Sequence, residues 1–155
     1  MTHSELVARA AKWLRGSARC QVVLTERLAM SHVNEHGAEM PDAIGWAYHD
    51  SFCVECKTSM SDLMADRRKR FRACGGSGDR RYYMCEKGVL DPSRIPYGWG
   101  LLVVCGKIVR LAKRPDRRGA CAIGLRRERY LLTAEIIALR SMCEHYKAKI
   151  EGAAP

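Results

Sequence analysis

The chain has 155 residues, 47% hydrophobic and 28% charged, with 27 Lys and Arg against 17 Asp and Glu for a net charge of +10. That composition is ordinary for a globular protein and long enough for one domain with a core, and no run nears the ~20 apolar residues of a membrane span. The basic excess points to a polyanionic partner, most often nucleic acid.

The N-terminal stretch MTHSELVARAAKWLRG is polar and charged throughout, without the apolar centre of a signal peptide, so a cytoplasmic protein is expected. Leu6, Val7, Ala10, Trp13 and Leu14 fall at helical spacing and predict a helix over 3–15, ended by Gly16. CQVVLTE, 20–26, reads as a strand, and a polar stretch with Gly37 follows. PDAIGWAY, 41–48, is a second strand opened by Pro41, and residues 52–57 are a third. Ser59 with Asp62 three residues on resembles a capping box, starting a helix with Met60, Leu63, Met64, Phe71 and Cys74 on its apolar face. GGSG, 75–78, stops it, and RRYYMCE, 80–86, is a fourth strand. WGLLVVC and IVRLAK flank Gly106-Lys107, a pair suited to a two-residue type II′ hairpin. Residues 113–129 are a basic connector and 130–149 a final helix. The expected fold class is α/β (α+β): one domain over 1–155 around one sheet, its core about 3–113.

The charges on the third strand carry the chemistry. Side chains alternate along a strand, so Glu55 and Lys57 share one face of an otherwise apolar element. Asp42 opens the preceding strand, and a hairpin between the two would bring both carboxylates toward one point. Two carboxylates and a lysine suit Mg²⁺, or Mn²⁺, with the backbone carbonyl of Cys56 as a further ligand and Lys57 beside the metal-bound water. Glu-x-Lys alone occurs by chance ~0.5 times in such a chain. A Pro-Asp within some twenty residues upstream lowers the joint expectation to ~0.03, so the pair carries weight that neither motif has alone.

PDAIGW, 41–46, followed by VECK, 54–57, resembles the PD-(D/E)xK nuclease superfamily, and the helix-strand-strand-strand-helix-strand order is similar to its restriction-endonuclease-like αβββαβ core. ECKTSMSDLMADRRKRFR, RRYYMCE and YGWGLLVV are similar in texture to small phage and bacterial MmcB-like DNA-repair proteins. The resemblance implies a Mg²⁺-dependent deoxyribonuclease of DNA repair, recombination or phage DNA processing. Asp42 and Glu55 would be its metal ligands and Lys57 its catalytic lysine. It also implies a further acidic residue, for which Glu5, Glu26 and Glu39 compete; Glu26, at the end of the first strand, is preferred.

Arg67, Arg68, Lys69, Arg70 and Arg72 follow the motif on one helix and are the candidate phosphate contacts, with Arg80 and Arg81 weaker ones. Tyr82 and Tyr83 are expected to include at least one core residue. Cys53-x-x-Cys56 lacks a second such pair, and strand alternation turns its two sulfurs apart, so no zinc is expected. Of the eight cysteines, Cys20, Cys53, Cys56, Cys105 and Cys143 sit in apolar runs and read as reduced core residues. Leu132, Ile136, Leu139, Cys143 and Tyr146 keep heptad spacing for about two repeats, which fits a packing helix or a homodimer seam equally well. The competing function is a catalytically silent DNA-binding or recruitment module on the same fold.

Overall fold

A computed structural model of the chain describes residues 1–25, 31–34, 37–48, 50–68 and 77–116, and the single positions Ile136, Cys143, Lys147 and Gly152; of 31–34 and 37–39 it gives the backbone. Helix α1 (His3–Gly16) starts where the sequence sets a capping box: the Thr2 hydroxyl accepts the Glu5 N–H, and the Glu5 carboxylate accepts the Thr2 N–H at 2.7 Å. These contacts satisfy two helix-start donors that otherwise have no partner. Leu6, Val7, Ala10, Ala11 and Leu14 form its buried face.

Strands β1 (Val22–Thr25), β2 (Ser31–Asn34), β3 (Gly37–Glu39), β4 (Ala43–Trp46) and β5 (Ser51–Cys56) follow. Next come helix α2 (Met60–Asp66), β6 (Arg80–Glu86), a 3-10 turn (Pro92–Arg94), β7 (Trp99–Cys105) and β8 (Ile108–Lys113). Among the described residues the sheet has six strands in the order β1-β4-β5-β6-β7-β8, while β2 and β3 form a separate hairpin. β1, β4 and β5 run antiparallel, β5, β6 and β7 run parallel, and β8 returns antiparallel. The α/β character and the order α1, β1, β4, β5, α2, β6 match expectation. The β2–β3 hairpin is an addition to that order, within the polar stretch around Gly37.

Alternation along β5, β6 and β7 builds two cores. Val54, Cys56, Tyr82, Met84, Leu102 and Val104 pack under α1, and Tyr83, Cys85, Trp99 and Leu101 pack with Leu63 of α2. Tyr82 and Tyr83 are therefore both core residues, one on each face. α1 approaches β4 closely: a Cβ at Gly45 would lie 2.7 Å from the Cys20 sulfur and 3.3 Å from Leu14. The β7–β8 turn is the two-residue hairpin expected, with Cys105 opposite Ile108 and Gly106 at φ +59°. β8 covers the expected IVRLAK, and its last residue, Lys113, donates to the Ile95 carbonyl at 2.7 Å.

α2 spans seven residues rather than running to Cys74. Phe71, Cys74, most of the 113–129 connector and most of the 130–149 helix lie outside the described residues. Among the described residues no helix is long and apolar enough to cross a membrane.

Gly45→Ala should destabilise the fold by about 1–3 kcal/mol, the usual cost of overpacking. Urea unfolding at equilibrium checks this, and a loss below ~0.5 kcal/mol would mean that α1 shifts freely against β4.

Candidate active site

β5 is buried at its C-terminal half, and so are its charges: Glu55 is 3% exposed and Lys57, just past the strand, 5%. Both lie on the α2 face, as alternation predicts. The Lys57 ammonium is 3.7 Å from a Glu55 oxygen, 3.7 Å from Asp62 Oδ1 and 3.5 Å from Asp66 Oδ1. The local sequence explains why α2 faces it. The Ser59 hydroxyl caps the helix by accepting the Asp62 N–H at 3.2 Å, and Asp66 follows Asp62 by one turn on the same side. Asp66 is almost fully buried, and its second oxygen accepts the Tyr83 hydroxyl at 3.0 Å. Tyr83 stacks on Trp99 at 4.3 Å, and the Arg81 guanidinium lies 4.0 Å over that indole. A run of contacts thus crosses from Lys57 to β7.

Asp42 reaches the same strand from the other side. Ala43 pairs with Val54, so one step back along the register sets Asp42 opposite Glu55. Its Oδ2 accepts the Cys56 N–H at 2.7 Å, and its Oδ1 lies 3.3 Å from His3 Nε2. β4 begins only at Ala43, so the aspartate side chain supplies the acceptor that a further ladder residue would have supplied. The Lys57 N–H points the opposite way, to the Met84 carbonyl at 2.9 Å. In a strand the N–H and C=O of one residue face the same edge, so the Cys56 carbonyl lies on the Asp42 edge.

No protein-family model matches the chain, and no curated protein does. A solved structure of a protein of unknown function from Silicibacter pomeroyi is similar over 100% of this chain and 97% of that chain, with a TM-score of 0.62 and 16% sequence identity. At that identity the likeness shows the fold alone.

Of the residues singled out from sequence, Glu55 and Lys57 form a direct ion pair, and Asp42 docks on the backbone beside them. Arg67 and Arg68 are exposed just past α2. Glu26, Lys69, Arg70 and Arg72 lie outside the described residues, as does the side chain of Glu39. Glu5 is held in the α1 capping box, which keeps its carboxyl below the ordinary range. Arg80 pairs with Asp50 at 3.1 Å at the opposite end of β5 and β6, and Arg81 is buried over Trp99 rather than exposed at the surface. His3, Asp66 and Tyr83 are site residues that sequence reasoning missed. The four-residue spacing of Asp62 and Asp66 directly after the motif was the available signal for Asp66.

Two carboxylates and a carbonyl on adjoining strands are donor types that Mg²⁺ takes from a protein. Among the described residues there is no group of three or more His, Cys, Asp or Glu side chains arranged to hold a metal. Two acidic side chains and one carbonyl do not constitute such a group, and Mg²⁺ commonly keeps waters in the remaining positions.

Cys20, Cys53, Cys56, Cys85, Cys105 and Cys143 are thiols. Burial pushes the Cys20 thiol up to about 12. Cys56 is raised as well, by burial first and then by the Asp42 and Glu55 carboxylates, with Lys57 opposing.

Two outcomes follow from this geometry. Lys57→Ala leaves buried carboxylates without their shared cation and should cost about 3–5 kcal/mol. Adding Asp66→Asn should cost less than the sum of the two single changes, because both act on one ion cluster; strict additivity in urea unfolding would show that Lys57 and Asp66 are independent. For the cysteines, a raised pKa keeps the thiol protonated as pH rises, and only the thiolate reacts. Cys20 and Cys56 should therefore resist iodoacetamide at pH 8 in the folded protein and label readily in urea, as peptide mass spectrometry would read; equal labelling in both states would contradict their burial.

Proposed function

We propose that the chain is a deoxyribonuclease dependent on Mg²⁺ or Mn²⁺. The observation that carries this reading is the Glu55–Lys57 ion pair on β5 with Asp42 docked on the same strand at Cys56. Three carboxylates lie around the Lys57 ammonium, and carboxylates are the side chains that a hard divalent cation takes as ligands. Asp42, Glu55 and the Cys56 carbonyl would hold the metal. When bound, the ion would supply charge stabilisation at a phosphate and would lower the pKa of a water.

The protein's own residues do the rest. Asp66 and Asp62 fix Lys57 beside Glu55, where its ammonium would orient the attacking water against the scissile phosphate. Tyr83 fixes Asp66, and so fixes Lys57 at one remove. Arg67 and Arg68 would contact the DNA backbone next to the cluster. The resemblance in PDAIGW and VECK supports the same reading and suggests a role in DNA repair, recombination or phage DNA processing.

One observation favours a second reading. Asp42 already bonds to Cys56 and lies beside His3, and Lys57 is enclosed by carboxylates, as they would be in a silent DNA-binding module with a structural ion cluster.

Incubation with supercoiled, linear, branched and single-stranded DNA, in Mg²⁺, Mn²⁺ or EDTA, separates the two. Cleavage is expected with either metal and none in EDTA. Lys57→Gln, checked for folding, should lower the rate by about 10²–10⁴ while shifting the slope of log affinity against log salt by no more than about 1. Glu55→Gln should lose cleavage with partial recovery at raised Mn²⁺. If folded wild type binds DNA and cuts no form with either metal, the silent module stands instead.

A further inference from the structure

In open sheets, ligands bind outside the carboxyl ends of parallel strands. That edge of β5, β6 and β7 carries the candidate site and also a second feature. An open groove of about 770 Å³ runs beside α1, lined chiefly by Glu5, Arg9 and Lys12 of the helix, Glu86 at the end of β6, and Lys107 of the β7–β8 turn. Glu5, Arg9 and Lys12 stand at i, i+4 and i+7, so they share one flank of the helix.

The charges of this groove are unequal in their commitments. Glu5 is held by the Thr2 N–H, and Glu86 pairs with the chain's amino terminus. Arg9 is set in place by a 3.3 Å bond from its guanidinium to the Lys107 carbonyl, which ties α1 to the hairpin turn. A guanidinium has five donors in a rigid fork matched to phosphate oxygens, so holding it leaves less side-chain freedom to be lost on binding. Lys12 is exposed. Outside the groove's lining, His3 in the first turn of the same helix lies against Asp42.

We infer that this groove seats a DNA backbone: Arg9, Lys12 and Lys107 contact phosphates of a strand whose continuation passes the Asp42–Glu55–Lys57 site. This rests on the reading above in taking DNA as the partner, but it does not require cleavage. An acidic protein would meet the same three cations. The position of the groove on the site's own sheet edge and the net charge of +10 favour DNA.

The test is fluorescence anisotropy of the full chain with a labelled DNA duplex and a labelled single strand, in EDTA, between about 50 and 200 mM salt. Arg9→Gln/Lys12→Gln/Lys107→Gln should flatten the slope of log affinity against log salt by about 2–3, since each lost duplex phosphate contact removes about 0.9. Arg19→Gln/Arg94→Gln/Arg114→Gln, an equal change of charge elsewhere, should flatten it by less than about 1. Lys12→Glu alone, at an exposed position, should weaken binding at low salt, and keeps the test open if the triple variant does not fold. An unchanged slope in the groove variant, or an equal change in both triple variants, overturns the inference even if wild type cleaves. Absence of cleavage with a flattened slope sinks the nuclease and leaves the groove. No DNA binding by wild type at any salt overturns both, and would turn attention to an acidic protein partner.

Discussion

A lysine ammonium held among three carboxylates at the end of β5 is the contact on which the surrounding structure depends. Taking such charges out of water costs several kcal/mol per ion, and only good geometry with further hydrogen bonds offsets it. The protein supplies that geometry from three elements: Glu55 from β5, Asp62 and Asp66 from α2, and Tyr83 from β6. Each is fixed by something else, namely the sheet ladder, the Ser59 cap and the Trp99 stack. A short helix of seven residues would be marginal alone. Here its docking through Leu63 and Asp66 decides where it lies.

The second constraint is the change of strand direction at β5. It pairs antiparallel with β4 on one side and parallel with β6 on the other. The antiparallel partner begins at Ala43, opposite Val54, while the parallel partner continues past Cys56 to Glu86. The last residues of β5 therefore have a ladder on one edge only. On the other edge Asp42 takes the Cys56 N–H with its side chain. An acidic group is thus drawn to the strand end for a backbone reason, whether or not it also binds a cation. This is why one position can be both a structural cap and a site residue.

What was legible in the sequence was whatever a single element could carry. Glu55 and Lys57 stood out because period-2 alternation made them conspicuous on an apolar strand, and the α1 capping box and the Gly106 turn are local chemistry. The β2–β3 hairpin was not legible, because its short strands lack a hydrophobic alternation to announce them. Tyr83 read as an uncommitted aromatic, and only the parallel register that sets it beside Glu55 reveals its bond to Asp66. Arg81 looked like a surface cation next to Arg80, yet β6 is covered on both faces and one of two neighbouring arginines must turn inward. His3 gave no signal at all, since its relation to Asp42 spans the distance from the first helix to the second strand of the sheet.

The ion cluster also bears on why the site is built as it is. A core of the same size made from apolar side chains would often be as stable or more so. Natural proteins depart from local consistency mainly at functional or strained sites. β5 departs from it in one place, at the end where parallel strands offer their carboxyl edges to a ligand. The ion cluster lies on the α2 face of that end, and the groove lies beside α1 at the same end of the sheet. Under the proposed reading the groove's cations would bring a phosphate backbone to the end of the sheet that carries the cluster.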